Sequence, residues 1–425
     1  MKNPRAYHVY LVMNAAFALA AAVMFTVMSV YFVTGVGMDP LQLVLVGTAL
    51  EGTVFVFEIP TGIVADVYSR RLSVILGHFA LGAGFVLIGL VPLFSIVLLC
   101  QVITGLGYTF LSGATDAWLA DEIGEEHVGT ALLRSGQIER VVGIAGTLIS
   151  VGLASLQLNL PMFVGGGLLL ATGVFLVIFM PETGFAPTPR DAHARTTWQT
   201  LRGTFRDGAR LVRRSPMLLL IFGIGFFWGA ASEGFDRLGD AHLLTNFAFP
   251  ALGALQPVVW FGILSIVADS VTFVVTEVFR RRLEAISKIP AATARVLIVL
   301  NGLMIAGVIA FALAGSFGLA VAMLLAYGVA RSMVLPLYSA WLLQHVDPKI
   351  RATVLSMNGQ TDAIGQIAGG PGIGLIGKLF SIRAAIAAAG VLLSPALLLY
   401  ARAIRHTDVV VGEADALVVE AAESS

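Results

Sequence analysis

Gly136-Gln137-Ile138-Glu139 and Gly359-Gln360-Thr361-Asp362 are one short string met twice, each time inside a stretch apolar enough to lie in a lipid bilayer. The match extends outward. Thr130 and Leu132 line up with Thr353 and Leu355, and Ile144-Ala145-Gly146 with Ile367-Ala368-Gly369, all at one offset and without a gap. That offset is close to half of the 425 residues, so the chain reads as two related halves. Each half then carries a carboxylate at an equivalent depth, Glu139 or Asp362. A charge at the centre of a membrane helix costs about 2.5–3.5 kcal/mol on insertion scales, which makes such residues functional candidates. Duplicated halves with polar groups at their interface are the arrangement of a secondary transporter.

Composition agrees. Hydrophobic residues make up 57% of the chain and charged residues 12%, the latter about half the share of a soluble domain. The mean hydropathy is +0.89, so lipid is the solvent for most of the molecule. Apolar runs of about 20 residues recur, the length an α-helix needs to cross the hydrocarbon, and the alternation of a lipid-facing barrel strand is absent. The expected fold is therefore all-α and polytopic. The first apolar run is too long for a signal-peptide core and should remain as the first span. Cys100 is the single cysteine and permits no intrachain disulfide. The seven histidines are scattered without ligand spacing, so neither a metal site, a cofactor nor an enzyme is expected. No filter loop or short pore helix points to a channel.

Twelve spans are expected, six within an N-terminal half, 1–181, and six within a C-terminal half, 217–405. Between them, 182–216 is a polar linker rich in arginine. Trp198, Leu201, Phe205, Ala209 and Val212 recur there at helical spacing, which reads either as an amphipathic helix on the membrane surface or as a solvated connector. Residues 406–425 are expected to be a disordered tail. Lysine and arginine cluster in alternate loops, among them Arg5, Arg70, Arg71, the linker, Arg280, Arg281, Arg282 and Arg351, which predicts cytoplasmic termini. Arginine far outnumbers lysine, and alanine and glycine abound, a habit of GC-rich bacterial genomes.

At the inner end of the second span the chain runs Gly62-Ile63-Val64-Ala65-Asp66-Val67-Tyr68-Ser69-Arg70-Arg71. Physically this is a helix end, an acid, a tight turn and two arginines opening the next helix. Charge pairing in so short a loop can hold neighbouring helices in one conformation and release them in another. The string resembles the major facilitator superfamily signature Gly-x-x-x-Asp-x-x-Gly-Arg-Arg/Lys, with Ser69 where the family usually has glycine. The resemblance implies twelve transmembrane helices in two pseudo-symmetric six-helix halves. It also implies cytoplasmic gate roles for Gly62, Asp66, Arg70 and Arg71, with Asp121 or Asp116 of the fourth span as the partner of Arg70. A worn copy in the second half, Glu277-Val278-Phe279-Arg280-Arg281-Arg282, sets Glu277 and Arg281 at the equivalent positions.

Two further strings carry the resemblance. Gln101-Val102-Ile103-Thr104-Gly105-Leu106-Gly107 is similar to the family's Arg-x-x-x-Gly-x-Gly, with glutamine in the arginine position; Gly105 and Gly107 also read as close helix packing. In the eleventh span Gly365 to Gly374, with Gly369, Gly370 and Pro371, resembles the glycine-proline pattern that drug:proton antiporters carry in their fifth span. Pro371 removes a helix donor and is an expected hinge. The likeness is nearest to bacterial tetracycline, macrolide and multidrug efflux members, which implies antiport, antibiotic resistance and the bacterial cell membrane.

Other polar residues fall inside spans. Glu51 and Glu58 share a face of the second, with Glu58 just before Pro60. Glu233, Asp236 and Arg237 stand at i, i+3 and i+4, so Glu233 and Arg237 can pair or face substrate. Asp269 and Arg331 are lone charges. Gln137 and Gln360 are candidates for cavity hydrogen bonds or helix glue. Glu139 and Asp362 lead the set: about nine residues from each inner end at 1.5 Å rise places them about 14 Å deep in a core about 30 Å thick. The expected activity is proton-coupled export of amphipathic cationic or polyaromatic compounds by alternating access; the alternative is transport of a small metabolite or siderophore. The expected partners are a small-molecule substrate, protons and lipid, with no nucleic acid, and the chain is expected to act as a monomer.

Overall fold

The computed structural model describes residues 3–186, 206, 210, 213, 215–251 and 257–423. The expected amphipathic face of the linker, from Trp198 to Val212, lies outside them. The regular elements among the described residues are all helical. We number the spans α1 (Pro4–Gly35), α2 (Pro40–Val67), α3 (Arg70–Leu90), α4 (Phe94–Ile123), α5 (Glu125–Leu156), α6 (Leu160–Phe179), α7 (Pro216–Asn246), α8 (Val259–Ile286), α9 (Pro290–Leu313) and α10 (Phe317–Gln344). The last two are α11 (Arg351–Leu379) and α12 (Ile382–Glu423). Among the described residues eleven helices are long and apolar enough to cross a membrane. The twelfth, α11, has ample length at 29 residues, but Asn358, Gln360, Asp362, Gln366 and Lys378 dilute its apolar content. The architecture is the expected twelve-helix, all-α one.

Local chemistry sets the helix ends. Asp39 accepts from the Gln42 N–H at 2.9 Å while the Gln42 side chain accepts from the Asp39 N–H at 3.0 Å, a closed capping box. Ser69 accepts from the Leu72 N–H at 2.8 Å and opens α3. Residues Phe94–Leu111 and Ala114–Ile123 form two helical segments of α4, divided at Ser112 and Gly113; Gly113 has φ 69°, a left-handed conformation open to glycine. Pro60 and Pro371 both sit inside unbroken helices.

The described residues form two compact units. The first comprises 1–197 and 240–267. There α1 packs on α5 and α6, α3 on α4 and α6, and α2 on α4. Small residues let the backbones touch: a methyl group on Gly82 would stand 2.8 Å from the Gly166 carbonyl oxygen, and one on Gly146 2.6 Å from the Ala22 side chain. Gly105 meets Thr53 and Gly107 meets Gly77 in the same way, which supports the packing reading of both glycines. Val258 and Phe261 join Val27, Val30 and Ala154 in one buried cluster, so the end of α7 and the start of α8 belong to this unit.

The second unit comprises 198–239 and 268–425. In it α9 packs on α10 and α12, and α11 on α12. Helix α7 also approaches α11 closely. A methyl group on Gly365 would lie 2.2 Å from the Phe226 carbonyl oxygen, one on Gly229 2.1 Å from the Asp362 carbonyl oxygen, and one on Gly369 2.7 Å from the Ala230 carbonyl oxygen.

Candidate functional site

Four helices of the second unit, α7, α10, α11 and α12, surround a cavity of about 180 Å³. Gly225 and Trp228 line it from α7, Tyr338 and Ser339 from α10, Asn358 and Asp362 from α11, and Tyr400 from α12. The Gly229 contact presses α11 against α7 at the level of Asp362 and so sets where this carboxylate stands. The Tyr338 hydroxyl is 2.8 Å from both the Ile221 carbonyl and the Asn358 amide oxygen, sharing one proton between two acceptors. That contact occupies the Asn358 oxygen and leaves its NH2 as a donor.

Charge around the cavity is arranged unequally. Arg331 donates to both carboxylate oxygens of Asp236, with Nη2 2.9 Å from Oδ2, and its guanidinium lies 5.1 Å from the Trp228 ring centroid. Buried Glu233 takes the Arg237 Nε at 3.0 Å. The lone Arg331 of the sequence thus finds its mate in Asp236, and Glu233 pairs within its own helix. Asp362 is held instead by a neutral group, accepting from Gln366 Nε2 at 2.8 Å, within the field of Arg331, Asp236 and Glu233. Of these three acids, Glu233 and Asp236 are each paired with an arginine, and Asp362 takes its hydrogen bond from a neutral amide.

Glu139 has different surroundings. It lies half-buried on α5 in the first unit and accepts from the Ser135 hydroxyl at 2.5 Å. Buried Tyr10 of α1 contacts Ser135 and Asn14 and feels the charges of Asp116 and Glu139. Gln137 is exposed and accepts from Arg134 at 3.3 Å. Glu51 and Glu58 are half-buried on α2, and Gln360 is half-buried on α11.

At the junction of α2 and α3, Arg70 pairs with Asp121, donates to the Ala117 carbonyl at 2.9 Å, and stands 3.7 Å from Asp66. Of the two candidate acids on α4, Asp121 is the partner; Asp116 faces Tyr10 instead. Gly62 has open space where a Cβ would stand, so packing does not demand glycine there. In the second half Glu277 pairs with Arg280 at 3.1 Å, and Arg280 reaches Glu284 at 2.8 Å, all on an exposed surface that Arg281 shares. Gly369 is wedged against Ala230, Gly370 is buried, and Pro371 follows them in the unbroken α11.

Sequence reasoning missed a second set of contacts here. Glu182 accepts from the Ser69 hydroxyl at 2.7 Å and from the Arg71 N–H at 2.9 Å, which gives the serine at the glycine position of the motif a task. Buried Glu122 accepts from Asn3, Thr183 and the Gly184 N–H at 2.7–2.8 Å. The Trp118 indole donates to the Pro181 carbonyl at 2.6 Å. The available signal was Pro181-Glu182-Thr183-Gly184, a polar turn directly after the last apolar run of the first half.

A profile described as the Major Facilitator Superfamily matches residues 10–294. The uncharacterized MFS-type transporter YxaM of Bacillus subtilis (strain 168) is 24% identical over 371 residues, 85% of this chain and 87% of its own. Among solved structures, a point mutant of the nucleoside transporter NupG superposes with a TM-score of 0.75 at 16% identity, covering 94% of this chain and 99% of its own. A bacterial homologue of the human lysosomal transporter Spinster, inward-facing and occupied, gives a TM-score of 0.69 at 15% identity over 94% and 96%. At such identities the two structures speak for the fold. The family match spans more than half of the chain and includes the Asp66 to Arg71 loop, so this multi-pass protein belongs to the Major Facilitator Superfamily and is a membrane transporter of that type.

Proposed function

We propose that the protein is a proton-coupled secondary transporter that exports amphipathic cationic drugs or related small molecules across the bacterial cell membrane by alternating access. The observation that carries this reading is Asp362, a carboxylate on a membrane span, lining a cavity and held by a glutamine while neighbouring acids have arginines. Such a group can exchange a proton for a cationic substrate without first breaking an ion pair. Aromatic walls from Trp228 and Tyr338 suit the apolar body of such a substrate. Glu139, tied to Ser135, is the second coupling acid, and the Asp66, Arg70 and Asp121 cluster serves as the gate on the cytoplasmic side, where both termini lie. The protein works as a monomer.

A second reading, transport of a small metabolite, draws on the modest volume of the cavity and on the polar Ser339 and Asn358 beside Asp362. Inverted vesicles separate the two. Under an imposed pH gradient, an accumulated cationic drug should partly dissipate the gradient, and Asp362→Asn should abolish the response at unchanged expression. Absence of any gradient change across a drug panel would remove the export reading and leave the metabolite one.

A further inference from the structure

Asp269 on α8 is an acid that the proposed site does not use, and it does not line the Asp362 cavity. Glu139, Glu233, Asp236 and Asp362 each accept a hydrogen bond, whereas Asp269 has no hydrogen-bond or ion-pair partner among the described residues. Its side chain is exposed, although α8 is long and apolar enough to cross the membrane. An unpaired carboxylate within a span can face hydrocarbon or water, and hydrocarbon is the costly choice.

The rest of α8 shows which it faces. At about 100° per residue, Ile263, Val267, Val274 and Val278 fall on one side, all exposed and all apolar, as a surface against acyl chains should be. Ser265, Asp269, Thr272 and Thr276 fall on the opposite side, at i, i+4, i+7 and i+11. Two turns before Asp269, and on its side of the helix, Gly262 is buried against Thr147 and Val151 of α5. This side of α8 is therefore turned to protein rather than to lipid, and the exposed Asp269 stands in water on a polar track along the span. Phe273, four residues on and exposed, sets an aromatic ring beside it.

We propose that Asp269 and Phe273 form a binding site for organic cations on the hydrated face of α8. The inference rests on the proposed export of cationic compounds and adds to it a second carboxylate, outside the Asp362 cavity. One carboxylate among hydroxyls balances a single positive charge and lacks the several oxygen ligands that hold a divalent metal. A phenyl face attracts the same charge and covers the apolar body that carries it. Since no described residue donates to Asp269, the site selects by charge and aromatic area, and a quaternary cation without any N–H binds as well as an ammonium.

The test uses the full chain in lipid nanodiscs, with Cys100→Ala to remove the single native thiol. Thr272→Cys puts a thiol one turn from Asp269, and Val274→Cys puts one on the apolar side. The cationic reagent MTSET and the anionic reagent MTSES modify thiols that water reaches; both should modify Thr272→Cys and leave Val274→Cys intact. Adding Asp269→Asn should lower the MTSET-to-MTSES rate ratio at Thr272→Cys at least about threefold, because one nearby charge attracts one reagent and repels the other. Asp269→Glu, which keeps the charge, should leave the ratio high. Tetraphenylphosphonium should slow MTSET at Thr272→Cys by at least about threefold, the aromatic anion benzenesulfonate should not, and Asp269→Asn should remove the protection. An unreactive Thr272→Cys, a Val274→Cys that reacts as fast, a rate ratio indifferent to Asp269→Asn, or equal protection by the cation and the anion overturns the inference. A gradient response to cationic drugs without these reagent effects sinks the Asp269 site alone; the reagent effects without any gradient response sink the coupling reading and leave the site standing.

Discussion

Glu139 and Asp362 hold matched places in the repeat, yet their side chains meet different chemistry. Asp362 lines a cavity beside two arginine-paired acids, whereas Glu139 is tied to Ser135 near Tyr10. Glutamine at 139 retains an oxygen that can accept from Ser135, so Glu139→Gln should preserve the local contact and remove only the charge. Drug-driven dissipation of the pH gradient should then fall by up to about tenfold, the scale on which a charged hydrogen bond exceeds a neutral one, against complete loss for Asp362→Asn. Equal and complete loss in the same vesicle assay would make the two acids functionally equivalent despite their surroundings. The repeat made both acids visible. Their inequality was invisible, because it depends on Gln366 and Ser135, each one turn away on the same helix but differing in what the neighbouring helices bring alongside.

Helices α7 and α11 illustrate what decides the site at the scale of the element. The glycine-proline string in α11 reads as a hinge, and in the fold Gly365 and Gly369 also bring two backbones into contact. Gly229 is the complementary position on α7. A methyl group there would lie 2.1 Å from the Asp362 carbonyl oxygen, so α11 must shift to receive it. Gly229→Ala should lower stability by about 1–3 kcal/mol, the usual penalty of overpacking, and lower the melting temperature of the detergent-solubilised protein. Gly239→Ala, on the same helix with open space around it, is the matched control and should melt within a degree or two of the unaltered protein. Both sit within α7, and the sequence does not say which one meets another helix; only the path of α11 makes Gly229 costly to replace.

For the whole molecule, the proposed transport cycle requires the charge cluster at the α2 and α3 junction to form and release. Arg70 meets Asp121 directly and stands near Asp66. Neutralising either partner, by Arg70→Ala or Asp121→Ala, should cut transport by at least about tenfold, since each leaves the other charge partly buried without its mate. Exchanging the two charges, with Arg70→Asp and Asp121→Arg together, should recover part of the loss, read as a non-additive double-mutant cycle on transport rate. Additive losses would assign the pair to anchoring α3 and α4 instead. The loop string announced that Arg70 wants an acid on α4. It left Asp116 and Asp121 open, because the bend at Ser112 and Gly113 sets the direction of the short segment that carries both.

Local, additive quantities were legible in the chain alone. Transfer free energies sum residue by residue, so hydropathy reports the solvent, the number of spans and the two halves, and a backbone deprived of water has little choice but the helix. The doubled string and the gate loop are likewise contiguous and can be read in line. Which charges meet and which acid lines a cavity are set by helix rotation and by the heights at which helices cross. Those depend on contacts between residues far apart in the chain, such as Gly229 with Asp362 and Arg331 with Asp236, and only the packed structure supplies them.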